Sequence, residues 1–285
     1  MAAQLRNMSK KVSIIDCSPV SKKYRFLSRW KDIKTTKPKE KRLYDAAIFL
    51  DVPNTKRASW VSTFIKGMNI PILNIDHHIS NTLFGNINYV DKEASSACEC
   101  IYSILKALDI EPTLNICKYL ATGIITDTGM FSFKNTSAKT FKICSELSIS
   151  GVNFYSLSNH LYNTKSLESI QLLSSVLSTI KLKSGTVFIQ LSQKMLEESG
   201  AKEEESEGFI NFALSIKNTK VAVFFREKAN GETRVSLRSK DEKIDVNLLA
   251  NKFGGGGHKE AAGFRSKKNA RELEQEILNI LQTIK

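Results

Sequence analysis

The sequence predicts an α/β fold in which a mostly parallel, doubly wound sheet domain is followed by a smaller α/β domain. In the first part, short apolar runs alternate with segments of helical periodicity, which is typical of βαβ units. In the last part, two apolar runs flank Asn230-Gly231, the strongest short signal for a β-hairpin turn. Between them, residues 165–180 carry apolar side chains at helical spacing, and Ser184-Gly185 interrupts the pattern.

The elements of the first domain follow from local patterns. Helical spacing and capping residues predict helices over residues 1–8, 59–68, 95–108, 114–120 and 137–148. Short apolar runs predict strands that lead into Asp16, Asp51, Asp76 and Asp127. Ser96 and Glu99 fit a capping box at the start of the third helix.

The second domain shows strands that are followed by short helices. The pattern predicts strands over residues 186–191, 221–225 and 234–237, and helices over 208–216, 246–253 and 269–284. Asp245 is well placed to cap one of these helices. We therefore expect domains at residues 1–164 and 186–285, with a linker helix within 165–185.

Three predicted strands end on side chains that can bind a metal ion. The run Ile70–Ile75 leads into Asp76-His77-His78, and two other runs lead into Asp51 and Asp127. The carboxyl ends of parallel strands share one edge of a sheet, so these side chains would meet there. An isolated pair of adjacent histidines is usually only solvated, but the two further carboxylates favour a metal site.

Four consecutive glycines mark a second candidate site. Gly254–Gly257 are followed by His258 and Lys259, and then by Ala261–Gly263. Glycines allow backbone N–H groups to approach an anion closely, which is how phosphate or carboxylate nests form. A flexible linker is the alternative, but linkers seldom carry a histidine and a compact Ala-Ala-Gly directly afterwards. We therefore favour a binding loop.

The formal net charge of +13 is compatible with an anionic partner such as a nucleotide or RNA. The charge is also compatible with a solvated, lysine-rich surface, so it does not decide the function. Part of it comes from one basic run: Lys34, Lys37, Lys39, Lys41 and Arg42.

Cysteine usage and hydropathy favour a cytoplasmic protein. The five cysteines form no Cys-x-x-Cys pattern, which indicates reduced thiols rather than structural zinc. No apolar run approaches the roughly 18 residues that a membrane span needs, and Met1–Arg6 lacks the apolar core of a signal peptide.

Several stretches together resemble the motifs of the DHH phosphoesterase superfamily and of its associated C-terminal substrate-binding domain. In chain order they are Asp51, Asp76-His77-His78, Asp127-Thr128-Gly129-Met130-Phe131, and Gly255-Gly256-Gly257-His258 with Ala261-Ala262-Gly263. The resemblance extends from about Lys11 to Phe264, which is nearly the whole chain. Each motif alone is moderately specific, but their shared order and spacing make the set strong.

The resemblance implies a site with two Mn²⁺ ions. Asp51 would bridge the two ions, and His77 and Asp127 would ligate one of them. His78 would contact the scissile phosphate, and Asp76 would hold a neighbouring imidazole in place. The residues that would hold the terminal phosphate of the substrate are Arg238, Ser239, Gly255, Gly256 and His258.

Within the superfamily, the pattern is most similar to bacterial oligoribonucleases that also act as 3′-phosphoadenosine 5′-phosphate phosphatases. The resemblance implies a phosphoesterase for short RNA and nucleoside bisphosphates, and it leaves a homodimer open. One alternative is a nucleotide- or RNA-binding module without turnover. Another is a cyclic-dinucleotide or polyphosphate hydrolase of the same superfamily.

One family motif has no counterpart in the sequence. The first motif, His-x-x-Pro-Asp-x-Asp, should precede the helix that contains Leu5, but no such residues lie before Lys11. That motif would supply three metal ligands, so we expect the chain as given to bind Mn²⁺ weakly and to turn over poorly or not at all. We expect a start codon placed too late rather than a loss of activity, because the other motifs are intact.

Overall fold

The computed structural model describes residues 1–38 and 44–283. The chain divides into two compact units, Met1–Thr164 and Lys165–Lys285. Lys39, Lys41 and Arg42 of the basic run lie outside the described residues. Among the described helices, none is both long and apolar enough to cross a membrane.

The first unit contains five short strands and a set of helices. The strands are β1 (Ile14–Ile15), β2 (Ile33–Lys34), β3 (Ala47–Leu50), β4 (Ile72–Asp76) and β5 (Ile87–Val90). The helices are α1 (Ala2–Asn7), α2 (Trp60–Lys66), α3 (Ala97–Ala107), α4 (Leu114–Asp127), α5 (Ala138–Ile149) and α6 (Phe154–Tyr162). Short 3₁₀ turns cover Lys22–Tyr24 and Trp30–Asp32.

Parallel pairing in the first unit confirms the predicted α/β class. The strands β3, β4 and β5 form a three-stranded parallel sheet in that order, and β1 pairs with β2 in parallel. Helices α3, α4 and α5 pack around a core that includes Ile75 from β4. Ser96 caps α3 as predicted, but Glu99 bonds to Ser95 and so does not close a capping box with Ser96.

The prediction of a strand before Asp127 is wrong. Residues 114–127 form the single helix α4, which runs through Gly123. A short apolar run cannot be distinguished from a buried helical segment by periodicity alone, and Ile124 and Ile125 are fully buried. A Cβ at Gly123 would lie 2.2 Å from Cys98 Sγ, so this glycine allows α3 and α4 to approach each other. Asp127 is therefore the last residue of a helix.

The second unit is built on a mixed six-stranded sheet. Its strands are β6 (Lys181–Lys183), β7 (Thr186–Leu191), β8 (Val221–Glu227), β9 (Thr233–Ser239), β10 (Gly256–Gly257) and β11 (Ala261–Ser266). Its helices are α7 (Leu167–Leu177), α8 (Gln193–Ser199), α9 (Phe209–Leu214), α10 (Val246–Asn251) and α11 (Ala270–Thr283), with a 3₁₀ turn at Glu203–Ser206. The strand order is β10-β11-β9-β8-β7-β6.

Helices cover both faces of this sheet. Helices α7 and α9 pack on the face that carries Ile189 and Phe224, and α10 and α11 pack on the face that carries Val223 and Leu237. The predicted hairpin is confirmed, because β8 and β9 pair antiparallel on either side of Asn230-Gly231. Asp245 caps α10 as predicted by accepting from the amides of the second and third helical residues.

Candidate metal centre and glycine-rich segment

Asp51 lies directly after β3 at the carboxyl edge of the parallel sheet. The register pairs Leu50 with Ile75, and the Asp51 amide donates to the Ile75 carbonyl at 3.0 Å. Its φ of +60° is in the left-handed region, which aspartate tolerates better than most non-glycine residues. The side chain is 50% exposed. Asp51 is thus fixed beside the end of β4 while its carboxylate stays accessible.

Asp76 is a buried carboxylate that positions the side chains around it by hydrogen bonds. Its Oδ1 accepts from His78 Nδ1 at 2.7 Å and from the His77 amide at 2.8 Å, and its Oδ2 accepts from Asn81 Nδ2 at 2.6 Å. Burial raises the pKa of Asp76, but the hydrogen bonds from His78, Asn81 and His77 outweigh it, so the pKa lies below its ordinary value. Asp76 therefore stays ionised and orients the residues around it.

The two histidines face Asp51 with different ring atoms. His77 Nδ1 lies 3.2 Å from the Ala94 carbonyl, which only accepts, so that nitrogen carries the proton and Nε2 lies 3.3 Å from Asp51 Oδ1. His78 Nδ1 lies 3.6 Å from the same oxygen. Burial lowers the pKa of His77, but the hydrogen bond and charge of Asp51 and the charge of Asp127 raise it overall.

The donor set fits a divalent metal ion. One ligand atom each from Asp51, Asp76, His77 and His78 lie within 4.8 Å of one another. Carboxylate oxygens and imidazole nitrogens suit borderline divalent ions. Because Asp76 is fully buried and already accepts three hydrogen bonds, it fits the role of orienting the ligands rather than binding the ion.

Asp127 lies outside that group but within its electrostatic reach. Burial and then the charge of Asp51 raise the pKa of Asp127 to about 6, although the charges of His77, His78 and Lys23 oppose this shift. Asp127 loses its proton with difficulty because it is buried near another carboxylate. A bound cation would stabilise its ionised form. The structure thus brings Asp127 to the cluster from the end of a helix.

The turn after Asp127 explains part of the Asp-Thr-Gly-Met-Phe stretch. Gly129, Met130 and Phe131 have φ angles of +53°, +58° and +64°. A Cβ at Gly129 would lie 2.5 Å from the exposed Phe133 ring, and the positive φ at this position favours glycine. The Thr128 hydroxyl donates to the Ile124 carbonyl at 2.6 Å and accepts from the Phe131 amide at 3.2 Å. These contacts fix the end of α4.

The glycine-rich segment forms β10, and its glycines have different roles. A Cβ at Gly255 would lie 2.3 Å from the Gly263 carbonyl, and one at Gly257 would lie 2.4 Å from the Ala261 carbonyl. Both positions need glycine for packing against β11. At Gly256 a Cβ would meet nothing closer than the Asn251 side chain at 3.7 Å. Gly256 is exposed and has room for a side chain; Gly254 also has nothing within 4 Å of a Cβ, but its φ of +72° favours glycine.

Arg238 and Ser239 point to opposite faces of the sheet, as successive strand residues do. The half-buried Arg238 donates from Nη1 to the Leu237 carbonyl at 2.9 Å. Ser239 is buried, and its hydroxyl donates to the Asp241 carbonyl at 3.0 Å. Arg238 can therefore reach an anion with its guanidinium, whereas the Ser239 hydroxyl already has an acceptor.

Asn81 and Asn74 are structural parts of the site that the sequence did not reveal. Asn81 Nδ2 donates to Asn74 Oδ1 at 2.8 Å as well as to Asp76. Asn74 is fully buried and donates to the Val52 carbonyl at 3.2 Å. A buried amide within the apolar strand β4 was the available signal, because buried polar side chains require partners.

Known proteins resemble both units. A family profile described as the DHHA1 domain matches residues 185–285. The bifunctional oligoribonuclease and PAP phosphatase NrnA of Thermus thermophilus is 31% identical over 214 residues, which are 75% of this chain and 64% of that protein. A probable protein of the same name from Streptococcus mutans is 32% identical over 214 residues, covering 74% of this chain and 68% of its own length.

A solved structure agrees over almost the whole chain. The crystal structure of an exopolyphosphatase-related protein from Bacteroides fragilis superimposes with a TM-score of 0.90 at 26% identity, over 98% of this chain and 86% of that one. The match to the Thermus relative spans just under two thirds of that relative's length, at 64%. These matches show that the chain belongs to the DHH phosphoesterase superfamily with its associated DHHA1 domain. The sequence motifs and the group formed by Asp51, Asp76, His77 and His78 agree with this assignment.

Proposed function

We propose that this protein is a Mn²⁺-dependent phosphoesterase that hydrolyses short oligoribonucleotides and 3′-phosphoadenosine 5′-phosphate. The observation that carries the proposal is the convergence of Asp51, His77 and His78 around the buried Asp76, with Asp127 in electrostatic reach. The names of the related Thermus and Streptococcus proteins support the substrate class.

Asp51, His77 and Asp127 are the residues that would hold the cations. Asp51 would contribute its carboxylate, which is half exposed and therefore accessible to a cation. When bound, divalent cations would supply Lewis-acid stabilisation of the phosphoryl group and would favour deprotonation of water. The Ala94 carbonyl accepts a hydrogen bond from His77 Nδ1 and so keeps the proton on that nitrogen. The lone pair of Nε2 would then bind the cation.

His78 would bind the scissile phosphate. The ionised Asp76 accepts from His78 Nδ1 at 2.7 Å, which fixes the orientation of the ring. The ring of His78 would contact a phosphate oxygen, and Asp76 would hold that ring in place without contacting the substrate itself.

The second unit would bind a phosphate group of the substrate that is remote from the reacting one. Arg238 could bind it with two parallel hydrogen bonds, as guanidinium groups do. His258 and the open position at Gly256 would complete the contacts. Gly255 and Ser239 would shape this segment, because the Gly255 amide donates to Ala250 and the Ser239 amide donates to Glu260.

The test is hydrolysis of 3′-phosphoadenosine 5′-phosphate and a diribonucleotide with Mn²⁺ in large excess, beside a cyclic dinucleotide and polyphosphate. Because the first family motif has no counterpart in the sequence, we expect slow turnover of the first two, and we expect a chelator and Asp51→Asn to abolish it. Turnover that resists the chelator would contradict a metal-dependent reaction. Nucleotide binding without any turnover in excess Mn²⁺ would instead favour a binding module.

We also propose a cytoplasmic location. The five cysteines are free, and Cys100, Cys117 and Cys144 are buried, which fits a reducing compartment. A homodimer stays a prediction, which sedimentation of the purified protein would test.

A further inference from the structure

One face of the sheet in the second unit carries a row of arginines. The register pairs Arg226 of β8 with Arg234 of β9, and it pairs Ala222 with Arg238. Because side chains alternate along a strand, Arg226, Arg234, Ser236 and Arg238 share one face. Along the strands, Arg226 and Arg234 lie on one side of the paired Phe224 and Ser236, and Arg238 lies on the other side, opposite Ala222. Helix α9 packs on this face over the buried Phe224.

Among residues 1–38 and 44–283, no carboxylate lies within 4.0 Å of the half-buried Arg226 guanidinium, although the charges of Glu203 and Glu207 act on it. Its Nη2 donates to the Ser236 hydroxyl at 2.6 Å, and its guanidinium carbon lies 5.1 Å from the centroid of the Phe224 ring. Its Nε is buried and has no hydrogen-bond acceptor among the described residues. The nearby Glu203 is already bound by Lys228, whose Nζ lies 2.6 Å from Glu203 Oε1.

Arg238, which lies two residues after Ser236 on β9, is also a half-buried arginine. Its described hydrogen bond goes to the Leu237 carbonyl, and within residues 1–38 and 44–283 no carboxylate lies within 4.0 Å of its guanidinium. Burial lowers the pKa of Arg238, and burial together with the charges of Arg234 and Arg238 lowers that of Arg226, while Glu203 and Glu207 oppose the shift.

Unpaired cations in a half-buried position are costly, because desolvation is not offset by an opposite charge. Several other cations of this unit have carboxylate partners: Lys181 and Lys183 both pair with Glu274, and Arg265 lies 3.9 Å from Glu232. Arg226 and Arg238 are half-buried arginines of one sheet face for which no such pair is found among the described residues. An anionic ligand would satisfy the orphaned Nε and both charges at once.

We propose that Arg226 and Ser236 form a second phosphate subsite beside Arg238, and that the two subsites hold successive phosphates of a short oligonucleotide. Ser236 and Arg238 are two residues apart on β9, or roughly 7 Å along the strand, so two phosphates of one chain can occupy them. Phe224 holds the Arg226 guanidinium in place from below. The inference rests on the proposed function and deepens it, since it explains a preference for oligonucleotides over mononucleotides.

The experiment measures equilibrium binding of a 5′-phosphorylated triribonucleotide and of adenosine 5′-monophosphate to the full chain, with a chelator present to prevent turnover. Arg226→Gln should weaken trinucleotide binding by about ten- to a hundredfold and leave the mononucleotide unchanged. The slope of log affinity against log salt should fall by about 0.7, the value for one phosphate contact on a single strand. Arg238→Gln should weaken both ligands.

Arg265→Gln is the matched control, because it removes the same charge from the same face but at an exposed arginine that has a carboxylate partner. If Arg226→Gln does not fold, Ser236→Ala replaces it, and we expect a severalfold loss for the trinucleotide only. A loss no larger than that of Arg265→Gln, or an equal loss for both ligands, would overturn the inference.

The two proposals fail in different ways. Arg226-dependent trinucleotide binding without hydrolysis in excess Mn²⁺ would refute the phosphoesterase and keep the subsite. Normal hydrolysis with unchanged trinucleotide affinity in Arg226→Gln would refute the subsite and keep the phosphoesterase.

Discussion

Asp76 and His78 form a hydrogen bond of 2.7 Å between Oδ1 and Nδ1, in which the carboxylate is fully buried and the imidazole is partly exposed. This pair joins the interior of the sheet to its carboxyl edge. A buried carboxylate whose pKa lies below its ordinary value thus fixes the orientation of a partly exposed imidazole.

The first prediction concerns Asn81, which donates to the second oxygen of Asp76. Asn81→Ala should lower the free energy of unfolding by about 1–3 kcal/mol, because it leaves a buried acceptor without that donor. It should also raise the pKa of Asp76, since this hydrogen bond favours the ionised form. Chemical denaturation at several pH values measures both effects. Asn88→Ala is the control, because Asn88 bonds only within its own turn to Gly85.

The second prediction separates two neighbouring glycines. Gly255→Ala should destabilise the second unit, because its Cβ would lie 2.3 Å from a backbone oxygen. Gly256→Ala has space for its Cβ, so it should keep wild-type stability and weaken nucleotide binding by blocking the segment. Thermal unfolding and nucleotide titration of the two variants test this. A stable Gly255→Ala, or a Gly256→Ala that binds normally, would contradict the assignment.

The third prediction concerns Glu274 on α11, whose two partners are Lys181 and Lys183. Burial raises its pKa, but the bond to Lys183 and the charges of both lysines lower it overall. A lowered carboxyl pKa contributes stability above the unfolded value and loses it as the pH falls through the folded value. Glu274→Gln should therefore cost about 1–2 kcal/mol at pH 7, and this difference should shrink as the pH falls below the ordinary glutamate pKa of about 4.3 and through the lower folded value. Glu276→Gln, at an exposed pair, should change stability by less than about 0.5 kcal/mol.

The fourth prediction links pH to cation affinity. Metal ligands must lose their protons to bind, and in the cation-free protein Asp127 has a pKa of about 6 while that of His77 is raised above its ordinary value. Affinity for Mn²⁺ should thus be highest at high pH and should fall at least tenfold per unit below about pH 6. Calorimetric titration between pH 5 and pH 8 measures the slope. An affinity that is independent of pH would exclude these groups as ligands, and Asp127→Asn should give a shallower slope.

The sequence predicted the local features well, because each depends on residues that are close in the chain. The hairpin at Asn230-Gly231 and the cap at Asp245 are examples of turn and capping chemistry that few residues determine. The end of β3 at Asp51 and of β4 at Asp76 followed from short apolar runs in parallel strands. These runs were sufficient to bring the main ligands to one edge.

Features that depend on tertiary packing could not be predicted. The run before Asp127 is apolar because the helix α4 is buried on several sides, and that pattern imitates a strand. Strand β5 was not predicted, since Ile87 and Tyr89 alternate with polar residues over only four positions. The unpaired state of Arg226 depends on which carboxylates lie near it in space, and no sequence pattern encodes that.

The most direct test of the account is a Mn²⁺ titration of the purified chain, followed by the electron paramagnetic resonance signal of the free ion. Asp51→Asn keeps the shape and the left-handed backbone that asparagine also tolerates, but it removes the charge. Asp109→Asn is the control, because Asp109 is also exposed and has a φ of +52°. We predict that Asp51→Asn lowers the affinity for Mn²⁺ by at least about tenfold while Asp109→Asn binds as the wild type does. Equal affinity of the Asp51→Asn variant and the wild type would show that this cluster does not hold the metal.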